Sequence, residues 1–185
     1  APEIPGCLEA IRWLKGRGVT VSIGHSDATY EEAIAGFEAG ITHATHTYNG
    51  MRGLHHREPG VLGAILSYPG IWAELIADLV HVHPGAIKVM LSSVGTERIV
   101  LITDAVQATG LPDGEYMLGD QQIFVSDGAA RLAEGNLAGS TLTMLRAVKN
   151  MIQEIGVSIP EAFTMASSNP AQSIGLKDRG RIREG

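Results

Sequence analysis

Cysteine is almost absent from the 185 residues: Cys7 is the only one, so no internal disulfide can form and the chain suits a reducing compartment. Its thiol reads as an ordinary small buried or surface group. Basic residues are the minority, 14 Lys and Arg against 20 Asp and Glu for a formal net charge of -6. That balance argues against a broad nucleic-acid surface, because phosphate backbones are held by clustered cations. A long hydrophobic run is missing too. The most apolar stretch, Gly60 to Val80, is broken by Tyr68-Pro69-Gly70 and carries Glu74 and Asp78, so no membrane span is expected. The N-terminal APEIPGCLEAIRWLK lacks a basic segment followed by an apolar one and does not read as a secretory signal. These absences predict a cytoplasmic protein with no nucleic-acid or membrane partner.

What is present is an ordinary globular composition, 44% apolar and 18% charged with 23 glycines, which predicts one domain with a buried core. Short β-branched runs alternate with helix-like segments, the pattern of an α/β fold. VTVSIG (Val19 to Gly24), ITHATH (Ile41 to His46), IWAELIAD (Ile71 to Asp78) and RIVLITDA (Arg98 to Ala105) read as strands. Thr29 and Glu32 form a capping-box pattern opening a helix, GVLGAILS reads as a short helix, and Pro84 suits the first turn of another. Residues 115–133 change character and predict a β-ribbon turning at Asp127-Gly128. Helices over Ser140 to Ile155, Pro160 to Ser167 and from Asn169-Pro170 close the chain. Continuous apolar strands imply a parallel sheet covered on both faces. Such βα units give either an open sheet or a piece of a barrel, since a complete eight-stranded barrel takes roughly 250 residues.

In parallel α/β folds ligands gather at the carboxyl ends of the strands. Here those ends carry Gly24-His25-Ser26, then His46 with Asn49, then Asp78 with His81, then Thr103-Asp104. Imidazoles and carboxylates on one rim suit a divalent metal such as zinc or ferrous iron and a hydrolytic reaction. His43 and His46 differ by an odd number and point to opposite faces of their strand, which favours His46, nearer the carboxyl end, as the ligand and His43 as structural.

Seven segments, GHSDATYEEA, THATHTYNGM, HHREPG, IAD with HVHP, ITDA, LAGSTLTM and MASSNPAQSIGL, resemble in that order the N-acetylglucosamine-6-phosphate deacetylases of the amidohydrolase superfamily. The resemblance runs from about Gly18 to Gly185. It implies a (β/α)8 TIM-type barrel of which this chain holds about the second half, strands 5 to 8. The ribbon at 115–133 would be an insertion after the last barrel strand, with the N-terminal half and a β-sandwich domain absent. It also implies hydrolysis of the acetamide of N-acetylglucosamine 6-phosphate, a divalent metal (zinc or iron) and a homodimer.

On that resemblance His25 and His46 would be metal ligands and Asp104 the catalytic acid and base. Asn49, Gly50 and Arg57 would hold the sugar phosphate, Asp78 and His81 would contact the substrate, and Leu137, Ala138 and Gly139 would line its pocket. His81 would also serve catalysis by donating to the developing oxyanion, in the neutral tautomer whose N–H points inward. The planar fork of Arg57 suits two phosphate oxygens, against the bland alternative of an ion pair with Glu58. The family's metal-binding glutamate lies upstream of the matched region. Glu3 and Glu9 are poor substitutes for it, so two imidazoles alone are expected to hold a metal weakly.

Overall fold

Each of the first three strands is left at its carboxyl end, and the chain comes back through a helix to start the next. The computed structural model describes residues 1–184. The order is α1 (Cys7–Lys15), β1 (Val21–Ile23), α2 (Tyr30–Ala39), β2 (Ile41–Ala44), α3 (Gly60–Ser67), β3 (Trp72–Ile76), α4 (Pro84–Val94) and β4 (Ile99–Ile102). All neighbouring pairs are parallel and the sheet order is β1-β2-β3-β4, so sequence neighbours are spatial neighbours.

Local chemistry starts the helices where the sequence signals them. At α2 the Thr29 hydroxyl accepts from the Glu32 amide while the Glu32 carboxylate accepts from the Thr29 amide, satisfying two otherwise orphaned donors. Pro84 occupies the first turn of α4, where its missing N–H costs nothing, and His83 caps it.

The core forms on one face of the parallel sheet. Ile23, Ala44, Ala73, Leu75, Ile99 and Leu101 share that face by register. They pack with Phe37, Ile65, Ile87, Met90 and Met151 from the helices in one cluster. Burying each larger side chain contributes about 1.5–3 kcal/mol. The other face is mixed and departs in part from the expected burial on both sides: Ser22, Trp72 and Glu74 are partly or fully exposed, whereas His43, Ile76 and Val100 are buried. Among the described residues no helix is long and apolar enough to cross a membrane.

A second sheet follows β4. The ribbon expected at 115–133 extends further and has more strands: β5 (Gly114–Leu118), β6 (Gln121–Ser126), β7 (Ala129–Leu132) and β8 (Leu137–Ser140) form a four-stranded antiparallel sheet. Ile123, Val125, Ala130 and Ala138 pack with Val106 and Ala108 as its own small core. Because Ser140 belongs to β8, the next helix begins later than expected, at α5 (Met144–Asn150), capped by Thr143 and running on as a π-helical turn, Met151–Ile155. Then α6 (Ile159–Phe163) and α7 (Asn169–Ser173) are joined by a second π turn, Thr164–Ser168.

Asn169, 2% exposed, ties this closing segment to β4. Its side-chain amide donates to the carbonyls of Thr96 at 2.8 Å and Ile99 at 2.7 Å. Asn169→Ala leaves both acceptors unpaired and is expected to cost about 2 kcal/mol. Urea unfolding checks this: the midpoint falls at constant slope, and an unchanged midpoint would contradict the anchoring role.

Candidate active site

Non-glycine residues in the left-handed backbone region mark every carboxyl end of the parallel sheet. They are His25 (φ 46°), His46 (φ 31°), Leu79 (φ 69°) and Asp104 (φ 49°), each two or three residues past its strand. Such a conformation costs about 1–2 kcal/mol per residue and persists only where surrounding bonds enforce it. Those bonds are present. Thr45 N donates to Ile23 O and Thr47 N to Glu74 O, both at 2.8 Å, and Ser26 N donates to Gly50 O at 3.1 Å. Ser140 N donates to Asp104 O at 2.8 Å. The strand ends are thereby stitched to one another and to the second sheet.

This stitching brings His25 and His46 together. Their Nε2 atoms lie 3.0 Å apart with the rings edge-on at 87°. His46 is buried and His25 exposed. Gly50 packs on the His25 ring, where a methyl group would sit 3.0 Å from Nδ1. His43 stands elsewhere: it shares a face with Ser22 and Trp72, its Nδ1 contacts Thr42 Oγ1 at 2.9 Å, and burial holds its pKa below the ordinary value, keeping the ring neutral.

The pair opens into a cavity of about 650 Å³. Asn49, Gly50, His81, Asp104, Leu137, Ala138 and Gly139, all candidates named from the sequence, line it with them. Ala105, Val106 and Gln107 also line it, and so do Leu118, Gln121 and Leu132 from the second sheet, none of which sequence reasoning finds. Ala105 to Gln107 lie just beyond a strand end and could have been found by that rule. Nothing in the periodicity of β5 and β6 says that their hairpin tip reaches a histidine pair.

Two candidates lie outside this cavity. Asp78 is not in its wall; its carboxylate accepts from His81 Nδ1 at 2.6 Å and from the His81 and Val80 amides. Arg57 is exposed on the loop before α3, its guanidinium 2.8 Å from His56 Nε2, and it forms no ion pair with Glu58. The engaged arginine is Arg52, whose fork donates twice to Asp27 at 2.9 Å. Both oxygens of Glu3 are taken by Ser26 and Asp27 rather than aimed at the imidazoles. Asn49 donates from its amide to the carbonyls of His46 and Thr47. Glu74 is a further unforeseen group: burial raises its pKa, the His46 amide offsets this in part, and the charge of Asp104 adds to the rise.

The imidazole pair fits a metal. Two nitrogens sharing a tetrahedral zinc at about 2.0–2.1 Å lie about 3.3 Å apart, close to the 3.0 Å between His25 and His46. Among the described residues no group of three or more His, Cys, Asp or Glu is arranged around one ion.

Residues 2–185 match the amidohydrolase family. The N-acetylglucosamine-6-phosphate deacetylase of Vibrio furnissii is 51% identical over 96% of this chain and 44% of its own length. The N-acetylgalactosamine-6-phosphate deacetylase of Escherichia coli O157:H7 is 51% identical over 95% and 46%. Among solved structures, the N-acetylglucosamine-6-phosphate deacetylase of Thermotoga maritima superposes with a TM-score of 0.93 at 43% identity, covering 100% of this chain and 50% of that one. The chain spans about half the length of the relatives it matches.

Gly139 shows how tightly the second sheet is fitted to the rim. Its φ is 64°, and a Cβ there would lie 2.6 Å from Val106 Cγ1 and 3.1 Å from Asp104 O. Gly135 has a similar φ of 91° but open space around it. Gly135→Ala is expected to cost about 1 kcal/mol for backbone strain alone, and Gly139→Ala a further 1–3 kcal/mol, roughly, for the clash. Equal losses in parallel unfolding experiments would contradict the close fit.

Proposed function

The chain belongs to the amidohydrolase family, and from that premise we propose that it carries the catalytic rim of a metal-dependent deacetylase. The substrate is N-acetylglucosamine 6-phosphate, and the products are glucosamine 6-phosphate and acetate. The observation that carries this reading is the meeting of two imidazole nitrogens, 3.0 Å apart, in the cavity that also holds Asp104. The names of the relatives support the same chemistry.

In this reading β1 to β4 are strands 5 to 8 of a (β/α)8 barrel, the second sheet is an insertion after the last of them, and the third metal ligand comes from outside this chain. The superposition on a solved deacetylase over the whole chain supports it. His25 and His46 would hold a zinc or ferrous ion, which when bound polarises the amide carbonyl and lowers the pKa of water from about 15.7 to about 7. Asp104 takes the proton of the attacking water and returns it to the nitrogen as the C–N bond breaks, a contribution on the order of 10²–10⁴ in rate. The water oxygen ends in acetate and the amine leaves on the sugar.

Asn49 and Gly50 orient the sugar from the loop beside His25, and Leu137, Ala138 and Gly139 form the wall opposite. Arg57, exposed and away from its own cavity, would bind the phosphate of a neighbouring subunit in a homodimer. The lone thiol and the phosphorylated substrate suit the cytoplasm. The N-acetylgalactosamine-6-phosphate deacetylase among the relatives supports a second reading, in which the substrate is the epimer at C4.

Acetate release from N-acetylglucosamine 6-phosphate, its galacto epimer and unphosphorylated N-acetylglucosamine tests these readings. We expect the first to be fastest. Equal rates with and without phosphate would remove Arg57 and Asn49 from phosphate binding, and a faster epimer would favour the second reading. Asp104→Asn is expected to lower turnover by at least roughly 10²-fold at unchanged metal content; loss of metal would make Asp104 a ligand instead.

A further inference from the structure

His81 lines the cavity, and behind it lies Asp78, with only 6% and 7% of their side-chain surfaces exposed. The two carboxylate oxygens have different duties. Asp78 Oδ1 accepts from the amides of Val80 at 2.9 Å and His81 at 2.8 Å, while Oδ2 meets His81 Nδ1 at 2.6 Å. Burial alone would raise the Asp78 carboxyl, but the hydrogen bonds from the His81 ring and from the two amides outweigh it and hold the group below its ordinary value. Asp78 is therefore a carboxylate, which can only accept, and the hydrogen of the 2.6 Å contact sits on His81 Nδ1. The other ring nitrogen, Nε2, has no hydrogen bond among the described residues. It is also not one of the buried unpartnered nitrogens, which are His43 Nε2 and His46 Nδ1.

We infer that Asp78 is a positioning residue that fixes His81 as its Nδ1–H tautomer, so that Nε2 offers the cavity a hydrogen-bond acceptor for an O–H or N–H group of the bound sugar. This replaces the expected donation to an oxyanion, because a neutral imidazole protonated at Nδ1 has only a lone pair at Nε2. A site built to accept from a hydroxyl selects for ligands that carry it, since a ligand without it leaves the buried ring unpaired. The identity of the sugar rests on the deacetylase reading; the tautomer is a property of the free protein.

The geometry around Asp78 supplies a near-isosteric test. In Asp78→Asn the two backbone amides still require an acceptor at the Oδ1 position, so the new NH₂ must take the Oδ2 position facing His81 Nδ1. That NH₂ donates, the proton leaves Nδ1 for Nε2, and the ring turns from acceptor to donor without moving. The same exchange of Asp for Asn inverts a catalytic histidine in serine proteases.

Long-range proton–nitrogen spectra of protein labelled with ¹⁵N-histidine, at about pH 8 and without ligand, read this directly, with His81 assigned by its loss in His81→Gln. We expect Nδ1 protonated and Nε2 bare in the unmodified protein, and the reverse in Asp78→Asn. A protonated Nε2 in the unmodified protein, or an unchanged tautomer in Asp78→Asn, would overturn the inference. With N-acetylglucosamine 6-phosphate, Asp78→Asn is expected to raise KM about tenfold and to change kcat less. An inverted tautomer with unchanged KM would overturn the sugar contact. No acetate release by the unmodified protein would instead count against the deacetylase reading and leave the tautomer standing.

Discussion

Parallel pairing governs everything the site contains. Strands β1 to β4 run the same way, so the chain leaves all four at one rim, where backbone groups beyond the ladder need new partners. It finds them by bonding each turn to a neighbouring turn or strand: Ser26 with Gly50 and Met51, Thr47 with Glu74 of β3, Asp104 with Ser140 of β8. These bonds hold His25, His46 and Asp104 in left-handed conformations that no isolated segment would keep. The strain is thus supported by the sheet, and the side chains it aims converge on one cavity.

The second sheet completes that cavity from a distance in sequence. Its strand β8 lies beside the exit from β4 through the Ala105 and Ser140 bridge, and Gly139 fits between Val106 and the Asp104 carbonyl. This attachment carries the small core of Ile123, Val125 and Ala130 with it and brings the tip of the β5–β6 hairpin, Leu118 and Gln121, into the wall of the cavity. A polar rim on the parallel sheet and a largely apolar wall on the antiparallel one, with Leu118, Leu132, Leu137 and Ala138, give the cavity two chemically different sides.

Much of this was legible in the sequence because it is local. Strand ends, the Thr29 capping box and the Asp127-Gly128 turn are written within a few residues of where they act. His25, His46 and Asp104 could be chosen because each stands directly after an apolar strand run. The features hidden from the sequence depend on contacts between distant segments. The approach of Leu118 and Gln121 depends on a bridge between Ala105 and Ser140, 35 positions apart in the numbering, and no period encodes it. Asp78 reads from the sequence as a polar strand end, but its spacing from His81 does not say that its carboxylate is used up on the ring and two amides. Arg57 matches a motif, yet its side chain lies exposed and outside the cavity, a placement that the motif itself does not encode.

In the proposed site His25 and His46 act as one binding unit through nitrogens that face each other at 3.0 Å. Zinc titration of the unmodified protein, His25→Ala, His46→Ala and the double variant measures it as a cycle. If both imidazoles hold the same ion, each single substitution weakens zinc binding almost as much as the double one, because the remaining ring alone is a poor ligand. Additive losses would mean two independent sites, and an unchanged affinity in either single variant would show that its imidazole is not a ligand at all.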